Sequence, residues 1–200
     1  MVPDERLRVT VVTATGLEYS QARKVLGDRV ALVRAGIAMR RNGHFIEGTA
    51  ISCGLAGGLR PDLPTGTILI PSRIGCEDGS FVACDETMTR NLRAAAARLR
   101  LRVDRSDLLT TAALVHGERR VAYASAGFGG VDMESGLLDA QRIACVRVVL
   151  DTPEREISPA WVNGVRAAVT PSAWRDLPFL MKNGPRCART AAEVIAEALR

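Results

Sequence analysis

Short apolar runs rich in β-branched residues alternate along this chain with stretches in which apolar residues recur every three or four positions. That alternation predicts strands interleaved with helices. Leu7 to Thr13 reads as a strand, followed by a helix over Glu18 to Leu26, a strand over Arg29 to Val33, a short helical stretch near Ala38 to Phe45, and a strand over Thr49 to Cys53. Strand-like segments then dominate to about Ala83. Asp85 is a candidate N-cap for the Ala-rich helix Glu86 to Leu101, because its short acidic side chain can accept from the first unpaired backbone amides. Further helices are expected after Val115-His116-Gly117, over Ser135 to Gln141, over Trp161 to Val169 and over Leu177 to Leu199, with Pro171 and Pro178 marking breaks. Ala144 to Leu150 is a nearly continuous apolar run, the pattern of a strand buried on both faces, and Asp151 stands at its carboxyl end. The pattern predicts one α/β domain over residues 1–200, a three-layer sandwich with a central mixed, mostly parallel sheet.

Composition narrows this picture. Two hundred residues with 47% hydrophobic content suit a single domain with a sizeable core, since chains of this length bury roughly 70% of their extended surface. Aromatic residues make up only 4%, so the core must be built from Ala, Val, Leu and Ile. The net charge of +5 arises from arginines scattered through Arg90 to Arg105 and Arg186 to Arg200, without aromatic interleaving, which argues for solvated helix faces rather than nucleic-acid binding. Such a field also attracts phosphate or an anionic membrane surface. Cys53, Cys76, Cys84, Cys145 and Cys187 are odd in number and contain no C-x-x-C pair, and Cys53 and Cys145 lie in apolar strands, as buried thiols do. The first residues lack an apolar signal core and no apolar run approaches a membrane span, so a reduced, cytoplasmic protein is expected. His44 and His116 have no carboxylate or thiol at ligand spacing, which argues against a metal site.

The candidate chemistry lies in Gly130-Val131-Asp132-Met133-Glu134-Ser135 and in Arg147-Val148-Val149-Leu150-Asp151, which set acids at the ends of neighbouring elements. In open α/β sheets the carboxyl ends of strands face the ligand crevice. Each residue alone also has a plainer reading. Asp151 could cap the Thr152-Pro153 turn, Met133 could be core, and Glu18 could be an ordinary first-turn glutamate favoured by the helix dipole. Gly54, Gly57 and Gly58 read as a tight turn after a strand, where main-chain amides can approach a ligand closely. Arg147 inside an apolar strand is costly unless paired, and Asp151 is its expected partner.

Three separated segments together resemble the superfamily of purine nucleoside phosphorylases and methylthioadenosine/adenosylhomocysteine nucleosidases. They are Val11-Val12-Thr13-Ala14-Thr15-Gly16-Leu17-Glu18, then Gly54-Leu55-Ala56-Gly57-Gly58-Leu59 with Pro61, Gly66 and Thr67-Ile68-Leu69-Ile70, and finally Val131-Asp132-Met133-Glu134 with Arg147 and Asp151. Asp151-Thr152-Pro153, Ile157-Ser158-Pro159 and the Pro/Leu-rich tail look most like the hopanoid-associated phosphorylase branch. The resemblance implies cleavage of the N-glycosidic bond of a 5′-modified adenosine, with adenosylhopane as the substrate of that branch. By the same resemblance Asp151 is the acid at the purine N7, Glu18 orients the nucleophile, Glu134 holds ribose hydroxyls and Met133 packs on the sugar, while Asp132, Ala56, Gly57, Thr111 and Arg147 complete the substrate site.

Two departures qualify the resemblance. Ser52 and Leu55 stand where phosphorylases of this type carry an arginine and a serine for phosphate, and Thr110-Thr111-Ala112 fall where nucleosidases place an aromatic against adenine. Phosphate as co-substrate, with no other cofactor, is the leading expectation. It would be held by Arg34, Arg40 or Arg41 together with amides of the Gly16 and Gly54–Gly58 turns. The alternatives are a methylthioadenosine/adenosylhomocysteine or futalosine nucleosidase and a non-catalytic nucleoside-binding protein. A homo-oligomer is expected, because Trp161, Trp174 and Phe179-Leu180-Met181 offer more apolar surface than a small monomer usually shows. If the substrate is lipid-linked, the protein would sit peripherally at the inner membrane.

Overall fold

A computed structural model describes residues 9–37, 45–162 and 170–200. Ten strands form one mixed sheet, in the order β6-β5-β8-β9-β3-β10-β4-β7, with β1 and β2 added beside β3. The strands are β1 (Val9–Thr13), β2 (Ala31–Arg34), β3 (Ile46–Gly58), β4 (Ile68–Leu69), β5 (Arg73–Cys76), β6 (Phe81–Ala83), β7 (Val103–Asp104), β8 (Asp107–Thr110), β9 (Phe128–Asp132) and β10 (Ala140–Asp151). The β3–β9, β10–β4 and β5–β6 pairs are antiparallel and the remaining pairings are parallel. This is the α/β fold with a mixed, mostly parallel sheet that the alternating pattern predicts.

Helices α1 (Gly16–Leu26) and α2 (Glu86–Arg98) pack with a C-terminal helix, Leu177–Ala198, against one face of β3 and β10. The C-terminal helix presents Cys187, Ala191, Val194 and Ile195 at helical spacing, and this stripe shares the main core with Val11, Ile51, Val146 and Val148. Alternate residues of the same strands, Val12, Ala50, Cys145 and Val149, pack with Ile74 and Leu108 from the distant β5–β8 end of the sheet. The sheet is therefore curled around them. Burial raises the Cys53 and Cys145 thiols to about 12, so they serve as small apolar core residues.

β3 dictates where an opening can form. One of its edges is covered by β10 almost throughout; the other pairs with β1 only over Thr49 to Ser52 and with β9 only at Gly57 and Gly58. Between those pairings the edge is open to side chains from α1.

Several expectations change. Gly54–Gly58 is no turn but the end of β3, which runs well past Cys53. Ser135 to Gln141 does not form the expected helix: a single 3-10 turn, Ser135–Leu137, leads straight into β10. Asp132 Oδ1 accepts from Ser135 N (3.3 Å), as a local cap would, but Gly136 N donates to Thr110 Oγ1 (2.8 Å) on β8 and the chain turns into β10 after one 3-10 turn. The expected stretches Ala38 to Phe45 and Trp161 to Val169 fall largely outside the described residues. The apolar surface is also smaller than expected. Trp161 donates to Ala173 O and Phe179 stacks under Arg155, leaving Trp174 (62% exposed), Leu177 (40%) and Met181 (69%) in the open. No helix among the described residues is long and apolar enough to cross a membrane.

Ile195 is fully buried where the C-terminal helix meets the sheet, so Ile195→Ala is expected to cost about 2–5 kcal/mol through lost burial and a residual cavity. A lower urea midpoint with an unchanged m-value checks this.

Candidate functional site

The open segment of the β3 edge becomes the wall of a cavity. Ala14, Thr15 and Glu18 line it from the β1–α1 junction, Leu55, Ala56 and Gly57 from β3, Asp132, Met133 and Glu134 from the end of β9, and Leu150 and Asp151 from the end of β10. Ile37, Leu114, Ile157 and Trp161 close an apolar rim. Glu18, Glu134 and Asp151, distant in sequence, thus converge on one space. Thr111 lines a smaller recess that shares Gly57, Asp132, Met133 and Asp151 with the cavity, and its hydroxyl is occupied by Ala113 O at 2.7 Å.

Glu18 has both a capping and a site role. Thr15 is the N-cap of α1 and forms a capping box with Glu18, Thr15 Oγ1 accepting from Glu18 N at 3.2 Å. Glu18 Oε2 accepts from Ala14 N (3.2 Å), Thr15 N (2.7 Å) and Thr15 Oγ1 (2.9 Å). Oε1 takes Leu55 N at 2.9 Å, an amide that no neighbouring strand claims at the β3 gap. Three amides of the segments expected to form an anion site, Ala14 N, Thr15 N and Leu55 N, are therefore spent on a carboxylate.

Arg147 lies beneath the cavity rather than beside Asp151, as had been expected. Four residues of strand span about 13 Å, at roughly 3.3 Å each, too far for the guanidinium to turn back along β10. It is 1% exposed, and its Nη2 donates to Ser52 Oγ (2.8 Å) and lies 2.8 Å from Asp132 Oδ2 and 3.4 Å from Glu134 Oε2. Nη1 donates to Leu55 O (3.2 Å) and stands 3.9 Å from Glu18 Oε1, while Nε donates to Ser135 Oγ (3.2 Å). Burial opposes its charge, but Asp132, Glu134 and Glu18 outweigh burial and hold the guanidinium's pKa above its ordinary value. Asp132, expected to touch substrate, spends its carboxylate inward on Arg147, Thr110 Oγ1 and the Ser135 amide and hydroxyl. Ser52, where the resemblance would place an arginine, accepts from Arg147 instead.

The partner of Asp151 is Arg120, from α3 (Glu118–Ser125). Arg120 is buried, and its Nη2 donates to Asp151 Oδ2. Burial pushes the Asp151 carboxyl above the ordinary aspartate range, with Arg120 opposing the shift. No local pattern marks Arg120: it follows Glu118 and Arg119 in a charged first turn and reads as solvated surface. Arg34 has Nη1 3.3 Å from where a Gly16 Cβ would stand but does not line the cavity, and Arg40 and Arg41 lie outside the described residues. Among the described residues, no group of three or more His, Cys, Asp or Glu side chains could hold a metal ion.

No family model and no curated protein matches the sequence. Solved structures do match in fold. The 5′-methylthioadenosine/S-adenosylhomocysteine nucleosidase of Neisseria meningitidis, in complex with methylthio-immucillin-A, superposes with a TM-score of 0.70 at 17% identity, covering 95% of this chain and 97% of that one. A Helicobacter pylori nucleosidase mutant holding 5′-methylthioadenosine in its active site gives a TM-score of 0.70 at 10% identity, covering 96% and 97%. A Helicobacter pylori futalosine hydrolase mutant gives 0.68 at 11% identity, covering 95% and 97%. This chain therefore has the α/β fold found in those nucleosidases.

A Cβ at Gly54 would stand 2.2 Å from Glu18 Oε1 and 2.7 Å from Arg147 Nη1. Gly54→Ala is expected to displace both groups and cost about 1–3 kcal/mol, a figure usual for overpacking. Arg147→Met, which strands buried carboxylates, should cost about 3–5 kcal/mol. Chemical denaturation of both variants checks the order, with Arg147→Met the more damaging.

Proposed function

We propose that this protein hydrolyses the N-glycosidic bond of a 5′-modified adenosine. The observation that carries the reading is the convergence of Glu18, Glu134 and Asp151 on one cavity with an apolar rim. Breaking the ribose–purine bond leaves oxocarbenium character on the sugar and negative charge on the base, so the site needs carboxylates near the ribose and an acid at the purine. Asp151 delivers the proton to N7, and its raised pKa suits an acid. Glu134 accepts from ribose hydroxyls, with the half-buried Met133 beside it. Among the described residues Glu18 Oε1 accepts one backbone amide, which leaves a lone pair for a water molecule that it orients toward the anomeric carbon.

Charge balance favours water over phosphate as the nucleophile. Arg147 is shared by Asp132, Glu134 and Glu18, and Arg120 is paired with Asp151, so the cavity wall carries an excess of carboxylates. A dianionic phosphate would meet that excess without a free arginine among the described lining residues. The solved structures of similar fold are named as nucleosidases and a hydrolase, which agrees with this choice. Ile37, Leu150, Ile157 and Trp161 supply apolar walls for the 5′ substituent, and the lipid-linked nucleoside implied by the resemblance is the long extreme of that class.

Two outcomes are expected. Incubation with 5′-alkylthioadenosines of increasing chain length should release adenine at the same rate with and without phosphate, giving a free ribosyl product by mass; strict phosphate dependence and a ribose 1-phosphate would reverse the choice of nucleophile. Asp151→Asn, which keeps the shape but not the acid, should slow adenine release by a factor of about 100–10,000 while the fold survives. We also propose self-association through the exposed Trp174, Leu177 and Met181, to be read as a dimer by light scattering at micromolar concentration and lost in Trp174→Ser/Met181→Ser.

A further inference from the structure

Each nitrogen of the Arg120 guanidinium has a partner. Nε donates to Val115 O at 2.9 Å and lies 3.2 Å from Glu156 Oε1, Nη1 donates to Gly58 O at 2.7 Å, and Nη2 takes Asp151 Oδ2. Two backbone carbonyls thus hold the plane of the fork. On the far side, Glu156 Oε1 also accepts Gly117 N at 2.7 Å and Oε2 meets His116 Nδ1 at 3.4 Å, while His116 Nε2 is buried with no hydrogen-bond partner among the described residues. Asp151 Oδ1 lies 3.3 Å from the site of a Gly57 Cβ, beside the cavity that both residues line.

We propose that Arg120 is the positioning residue of the site: it takes one oxygen of Asp151 and leaves the other to the ligand, and Glu156 sets how strongly it does so. This rests on the reading of Asp151 as the acid at the base. Because Oδ2 already accepts from Arg120, a proton carried by Asp151 sits on Oδ1, the oxygen beside the cavity. Glu156 competes for the same guanidinium, so Asp151 faces a cation whose charge is already partly answered. The charged groups around Asp151 are Arg120 from α3, His116 from the loop before it and Glu156 from the segment after β10, with Asp132, Glu134 and Glu18 on the other walls of the cavity.

The sign of the coupling follows. Removing Arg120 removes the cation that favours ionised Asp151, so its proton is kept to higher pH. Removing the charge of Glu156 leaves Arg120 wholly to Asp151, so the proton is lost at lower pH. An acid that must be protonated loses activity as pH rises through its pKa. The alkaline limb of the kcat profile should therefore move up in Arg120→Met and down in Glu156→Gln.

The test compares wild type, Arg120→Met, Arg120→Lys and Glu156→Gln by the pH dependence of adenine release and by the carbon-13 shift of the Asp151 carboxyl. Expected are opposite displacements of the two limbs and the same two displacements in the carboxyl titration. In Arg120→Met, kcat should fall roughly 100-fold, with KM changed far less, because the carboxyl is no longer aimed. Arg120→Lys keeps the charge but cannot serve both carbonyls and Asp151 at once, so it should restore the limb and not the rate. Glu156 is only partly buried, and its Gln variant keeps an acceptor for Gly117 N, so it reports even if Arg120→Met does not fold. Limbs and carboxyl titrations that stay put, or that move in the same direction in Arg120→Met and Glu156→Gln, would overturn the proposal. If the wild type releases no adenine from any nucleoside, the functional reading fails, while the carboxyl titration still decides whether Arg120 and Glu156 govern Asp151.

Discussion

The Arg147 guanidinium, buried in the middle of a curled sheet, is the interaction on which the site depends. A buried cation is tolerated only if the energy lost from water is returned by charges and acceptors at close range. Here the return comes from four parts of the fold at once: Ser52 and Leu55 O on β3, Asp132 at the end of β9, Glu134 and Ser135 in the following turn, and Glu18 on α1. Each of these contacts ties a separate segment to β10. The small residues around it follow from the same demand, since Gly54 has no room for a side chain between Glu18 and Arg147.

That constraint divides the cavity into two electrostatic halves. Glu18 and Glu134 share a cation that also serves Asp132, and Glu18 additionally accepts four amide and hydroxyl donors. Asp151 sits at the opposite wall, where burial pushes its pKa up and its cation is shared with Glu156. Carboxylates in one cavity but in different surroundings are suited to different tasks, and the proposed hydrolysis calls for such a difference.

Local order was largely legible in the chain. The capping signal at Asp85, the helical run Leu177 to Leu199 and the β-branched run ending at Asp151 act over a few residues, and the structure realises each of them. Glu134 and Asp151 could be named because they fall at element boundaries, where side chains face a crevice, whereas Glu18 was named through the resemblance of its motif. Pairing was not legible. Arg120 looked like one charge in an exposed turn, and Arg147 was assigned to an acid near it in sequence, because nothing local shows which strand will lie beside which.

The sequence by itself therefore determined most of the elements, since periodicity and capping are properties of short segments, while the chemistry was suggested by the resemblance of three separated motifs. Tertiary structure alone decided that Gly54–Gly58 stays in a strand, that Gly136 N goes to Thr110 on β8 while the chain enters β10, and that the two buried arginines serve different acids. The physical reason is common to all three: burying a charge or an amide requires a partner, and only the packed sheet brings that partner from another element.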